Sequence, residues 1–177
     1  MFEKGKEIKR LLGYIQQYYS EIALVIKKLD DLMKKKGWNP LDSAVAKDCS
    51  KSVDNPEKWF PYMNYRVYAK TKKSNLMKIV LFCHDHEGYD QPKIIAGLVE
   101  YKSQKSINEW TRPFILWNLW VEEKNSQKKF NGYIYKKFNT PAMKEAIKTT
   151  RLFGYNLTDI KNEIDIEQKL FNKLINL

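Results

Sequence analysis

Apolar residues recur through the first 36 positions at alternating spacings of three and four, at Ile8, Leu11, Ile15, Tyr18, Ile22, Val25, Leu29 and Leu32. That spacing predicts one helix over residues 2–36, ended by Gly37 in the C′ position. It is also a heptad a/d register, the signature of a two-stranded coiled coil. Leu12, Tyr19, Ile26 and Met33 occupy the adjacent e positions, widening the stripe to a face suited to packing on a sheet. The helix is therefore expected to be a core element, with a homodimer through residues 8–33 as the alternative.

Beyond a connector with few periodic signals, the spacing changes to two. Residues 65–70, 78–86, 93–102, 114–123 and 130–138 each hold β-branched or aromatic side chains at strand length, separated by Gly, Asn, Ser, Pro and Lys clusters. Short connections between successive strands predict an antiparallel meander. Both faces of Phe114–Val121 are apolar, which makes that segment the expected centre of the sheet. Thr140-Pro141 opens a short helix, residues 149–157 form a possible sixth strand, and Asn162 caps a last helix with Ile166, Leu170, Phe171, Leu174 and Ile175 on one side.

The fold expected is α+β: an antiparallel five- to six-stranded meander sheet packed by a long N-terminal helix and a C-terminal helix. Residues 1–177 form a single domain in this reading, divided into the long helix (1–37), an aromatic-rich connector (38–63), the antiparallel meander (64–138) and a helix-strand-helix unit (139–177).

Charge changes this picture little. The chain carries a formal net charge of +11, which favours anionic partners through counterion release. Only Arg10, Arg66, Arg112 and Arg151 supply the guanidinium fork preferred in phosphate and base recognition. The basic residues are spread along the chain, as a Lys-rich codon bias would leave them. Nucleic acid is an alternative partner, through Tyr133-Ile134-Tyr135 flanked by Lys128, Lys129, Lys136 and Lys137, an aromatic and basic interleaving suited to single strands. Lysines of that kind also protect an edge strand from aggregation. No apolar run approaches the ~20 residues of a membrane span, so no membrane partner is expected. Cys49 and Cys83 lie in unrelated segments with no secretion-type leader before them, which points to a cytoplasmic protein with reduced thiols.

The densest polar cluster is Cys83-His84-Asp85-His86-Glu87. On a strand His84 and His86 share a face and form a weak metal-ligand pair, but zinc needs a third or fourth ligand that the sequence does not name. A solvated hairpin tip is the plainer expectation, and no cofactor is implied.

Gly97-Leu98-Val99-Glu100-Tyr101-Lys102 resembles the Glu-x-Lys element of the PD-(D/E)xK nucleases. The resemblance implies metal-dependent hydrolysis, with Glu100 and an upstream acid such as Asp85 holding the ion and Lys102 assisting water. A hairpin turning near residues 88–90 sets Glu100 opposite Lys78, with Asp85 ~23 Å away along the ladder. That separation argues against a shared ion.

No phosphate loop, dinucleotide fingerprint, Cys-x-x-Cys pair or nucleophile elbow is present. The leading expectation is a non-catalytic ligand- or protein-binding, regulatory module. Its ligand residues are expected to be Trp59 and Tyr62 in the connector, with Asn118 and Trp120 on the central strand, where a buried amide must find partners or face a cavity.

Overall fold

The computed structural model describes residues 2–41, 46–47, 61, 63–84, 91–103 and 141–177. Helix α1 spans Phe2–Lys34. Strands β1 (Asn39–Pro40), β2 (Ala46–Lys47), β3 (Met63–Ala69), β4 (Leu76–Cys83) and β5 (Lys93–Tyr101) follow. Helix α2 (Pro141–Ala146) leads directly into β6 (Ile147–Asn156), and a 3-10 turn at Leu157–Asp159 precedes the last helix. That helix, α3, covers residues 163–175 and contains a π-helical stretch at Ile166–Phe171. Asn162 caps it by accepting from the Asp165 backbone N–H at 2.9 Å, the role its sequence position predicts.

The described strands form one antiparallel sheet in the order β1-β3-β4-β5-β6, with β2 also on β3. The architecture is α+β, with a long N-terminal helix, an antiparallel sheet and a C-terminal helix. The strand that follows β5 in the sheet differs from the expected one. Along its length β5 is paired with β4 on one side and with Ile147–Asn156 on the other. β6 takes the position beside β5 expected for residues 114–123. Residues 114–123 and 130–138 lie outside the described residues.

The β4–β5 register also differs, by two residues. Leu76 lies opposite Glu100, and Lys78 lies opposite Leu98. On the other side of β5, Gly97 permits the close approach of β6. A Cβ there would lie 2.4 Å from the Arg151 carbonyl oxygen and 2.5 Å from a Leu152 methyl, so only glycine admits β6 this closely.

Both faces of the sheet are apolar. Met63, Tyr65, Val67, Ile79, Leu81, Ile95, Val99 and Leu152 form one cluster, joined by Ala146 and Ile147 at the α2–β6 junction. Tyr68, Val80, Phe82, Ile94, Ala96 and Phe153 form the other, against Ile22, Ile26, Leu29 and Met33 of α1 and Ile166, Leu170, Phe171 and Leu174 of α3. Alternation along β3, β4 and β5 assigns the two sets to opposite faces.

The buried residues of α1 all belong to its C-terminal half. A helix of 33 residues is ~50 Å long, whereas β5, with nine residues, spans ~30 Å. The helix outruns the sheet, leaving Ile8, Leu11 and Leu12 at 57%, 51% and 48% exposure. The 8–33 seam is thus divided: Ile22, Ile26, Leu29 and Met33 are buried in the protein's own core, while Ile8, Leu11 and Leu12 are exposed.

An ion pair pins the packed half. Arg66 on β3 donates from Nε to Asp30 Oδ1 at 3.0 Å and from Nη2 to Oδ2 at 2.6 Å, with both side chains largely buried. This two-point geometry fixes orientation as well as distance.

Candidate functional site

The end of α1 is built by Gly37. Its φ of +75° lies in the left-handed region that glycine adopts without a Cβ penalty. Gly37 N–H donates to Lys34 O at 2.9 Å and Trp38 N–H to Met33 O at 3.0 Å, the paired bonds of a Schellman motif. The motif turns the chain so that Trp38 joins the same buried cluster as Met33.

Trp38 then lies beside two lysines. β1 pairs Asn39 with Ala69, which brings the following residue, Lys70, to the indole, with Nζ 5.7 Å from the ring centroid. Lys78 Nζ lies 4.9 Å from the same ring. Both distances fall in the cation–π range.

Lys78 occupies a helix-facing position in a row across the sheet, Tyr68–Lys78–Leu98–Arg151. It is 2% exposed, so its ammonium needs internal partners. Nζ donates to the carbonyls of Leu174 and, at 3.0 Å, Ile175. These are C-terminal carbonyls of α3, the end of a helix where cations are favoured. An ammonium has three donors, and these two carbonyls accept two of them. Burial and then the neighbouring Lys70 charge push the Lys78 pKa down to about 8. Arg151, in the same row, donates from Nη1 to Leu177 O at 3.2 Å.

A cavity of about 360 Å³ opens here, lined by Lys36, Trp38, Lys70, Leu76, Lys78, Leu98, Ile175 and Leu177. None of the described lining residues has an acidic side chain. Three lysines therefore share that lining, a potential that attracts anions.

The residues singled out in the sequence are placed differently. His84 is a half-buried member of an aromatic cluster, in contrast to the solvated tip expected of it. Tyr18 OH and His84 Nδ1 are 2.7 Å apart, and His84 Nε2 lies 2.7 Å from Asn64 Oδ1. Asn64 Oδ1 can only accept, so Nε2 carries the hydrogen, and Tyr18 donates to Nδ1 of the neutral ring. Tyr18 and Tyr19 also pack edge-on to the imidazole. Burial holds the His84 pKa down at about 4 and pushes the Tyr18 phenol well above its ordinary value. Both ring nitrogens are engaged in hydrogen bonds, and no group of three potential metal ligands occurs among the described residues.

Glu100 accepts from Lys148 Nζ at 2.8 Å, and Lys102 Nζ donates to the Lys144 carbonyl at 2.6 Å. Cys83, the last residue of β4, is seven ladder positions from Glu100, or ~23 Å. Asp85, His86, Trp59, Tyr62, Asn118 and Trp120 lie outside the described residues.

Sequence reading passed over Lys78. The available signal was a lone charge in Leu76-Met77-Lys78-Ile79-Val80-Leu81-Phe82, since lysine is rarely buried without a purpose-built environment. No family model, curated protein or solved structure matches the chain.

Proposed function

We propose that the chain acts as one cytoplasmic domain whose role is binding, a non-catalytic module that takes an anionic small molecule in the pocket beside Trp38. The observation that carries this reading is the pair of ammonium groups, Lys70 and Lys78, set around one indole in a cavity whose described lining residues have no acidic side chain. Like charges brought together repel. An anion between them converts that cost into attraction and accepts the third Lys78 donor. A cavity of this size suits a small ligand held by a few polar groups on apolar walls. The partners of Glu100 and Lys102, a lysine ammonium and a backbone carbonyl, favour binding over the metal-dependent hydrolysis implied by the nuclease resemblance.

Calorimetric titration of the purified protein with inorganic phosphate tests the proposal. Saturable binding is expected, weakened several-fold by Lys70→Gln, whose exposed side chain can change without unfolding the protein. No binding by the wild type, or equal binding by the variant, overturns it.

A further inference from the structure

We infer that the ligand of this pocket is an amphiphilic anion, a carboxylate or phosphate monoester carrying a short aliphatic chain. The inference rests on the anion-binding reading above and adds to it the division of the pocket wall. Lys70 and Lys78 meet at Trp38 and Lys36 adds a third cation to the lining, while Leu76, Leu98, Ile175 and Leu177 supply the rest.

The sheet register sets the spacing of the two halves. Leu98 lies directly opposite Lys78 across the β4–β5 ladder, ~4.8 Å away between strands. Leu76 lies two residues before Lys78 on the same strand face, ~6.6 Å along it. Ile175 presents its carbonyl to Lys78 and also lines the pocket. A group held at the Lys78 ammonium therefore has aliphatic walls immediately beside it. Free inorganic phosphate or acetate leaves those walls wet. A chain-bearing anion removes them from water, and each fully buried methylene raises affinity about fourfold. The cavity volume of about 360 Å³ restricts the ligand to a short chain.

The test is calorimetric titration of the full chain with inorganic phosphate, acetate, butyrate, hexanoate, hexyl phosphate and hexylamine. Hexanoate is expected to bind at least tenfold more tightly than acetate, with butyrate between them and hexylamine not binding. Whichever of hexanoate and hexyl phosphate binds more tightly identifies the headgroup. Leu98→Ser should flatten the chain-length dependence, and Leu177→Ser, at a half-exposed position, does the same if the Leu98 variant fails to fold. Equal affinity for acetate, butyrate and hexanoate, with phosphate still binding, overturns the amphiphile inference and leaves the anion reading standing. No binding by any anion overturns both. Hexylamine binding as tightly as hexanoate shows an apolar cavity without anion selection and also overturns both.

Discussion

Lys78 Nζ lies 4.9 Å from the centre of the Trp38 ring and donates to two carbonyls at the end of α3. One side chain thereby joins the exit from α1, the middle of the sheet and the last turn of the chain's final helix. Its charge state links ligand binding to pH. With its pKa lowered to about 8 by burial and Lys70, Lys78 is cationic at pH 7 and mostly neutral at pH 9.5. The other titratable lining groups are Lys36 and Lys70. Phosphate affinity should fall roughly tenfold over that interval, the equivalent of ~1.4 kcal/mol and close to the contribution of one charge-assisted hydrogen bond. Titrations at the two pH values check this, with Lys78→Met expected to remove most of the difference.

The same shift has an opposite consequence for the empty protein. The folded pKa of Lys78 lies below its unfolded value, so between about 8 and 10.5 the unfolded chain binds more protons and stability rises with pH. Below about 8 both states are protonated, and the fold carries the full desolvation cost. Saturating phosphate should reduce this alkaline gain by restoring the charged form. Urea unfolding at pH 7.5 and 9.5, with and without phosphate, measures it.

His84 predicts an acid limit. Its folded pKa of about 4 lies below the ordinary 6.5, so the unfolded chain binds more protons between those values. Stability contributed by neutral His84 is present above 6.5, falls as pH drops, and is lost below about 4. On the order of 1–2 kcal/mol should disappear between pH 7 and pH 4.5. His84→Gln should show a correspondingly shallower pH dependence in denaturant unfolding, whatever its stability at pH 7.

Gly97→Ala tests the closeness of β5 and β6. The added methyl meets the Arg151 backbone oxygen and Leu152, and a paired backbone cannot rotate aside. A loss of at least 1–3 kcal/mol is expected, read as a lowered urea midpoint. A variant as stable as the wild type would contradict the β5–β6 register.

Asp30→Asn tests the anchor of α1. It removes the carboxylate that ties the largely buried Arg66 guanidinium to α1, at a cost approaching the ~3–5 kcal/mol of a broken buried pair. Replacing both residues with apolar ones of similar volume should recover most of that loss. Comparison of the single and double variants by urea unfolding decides it.

Local signals made much of the fold legible. The three-four spacing gave α1, Gly37 its end, Asn162 the start of α3, and the run Lys93–Lys102 a strand. Sheet partnership was less legible, because strand patterning says which residues alternate and not which strand lies beside which. Residues 147–156 lie beside β5 through a non-local pairing that no spacing encodes. Burial along α1 was also hidden, since the stripe from Ile8 to Met33 is uniform while the sheet beneath it is only ~30 Å long. The pocket needed all three: Trp38 from a helix cap, Lys78 from a strand interior and Ile175 from the far end of the sequence. His84 was visible as a chemical candidate, yet its partners Tyr18 and Asn64 lie 66 and 20 residues away.

The central claim is that an anion binds beside Trp38. The most direct measurement is an amide and indole N–H NMR titration with hexanoate, following Trp38, Lys70, Lys78, Leu98 and Ile175. Saturable shifts concentrated at these residues, and much reduced in Lys70→Gln, are the predicted result. Saturable shifts elsewhere that leave Trp38 and Lys78 unmoved, or no saturable shifts at all, would contradict it.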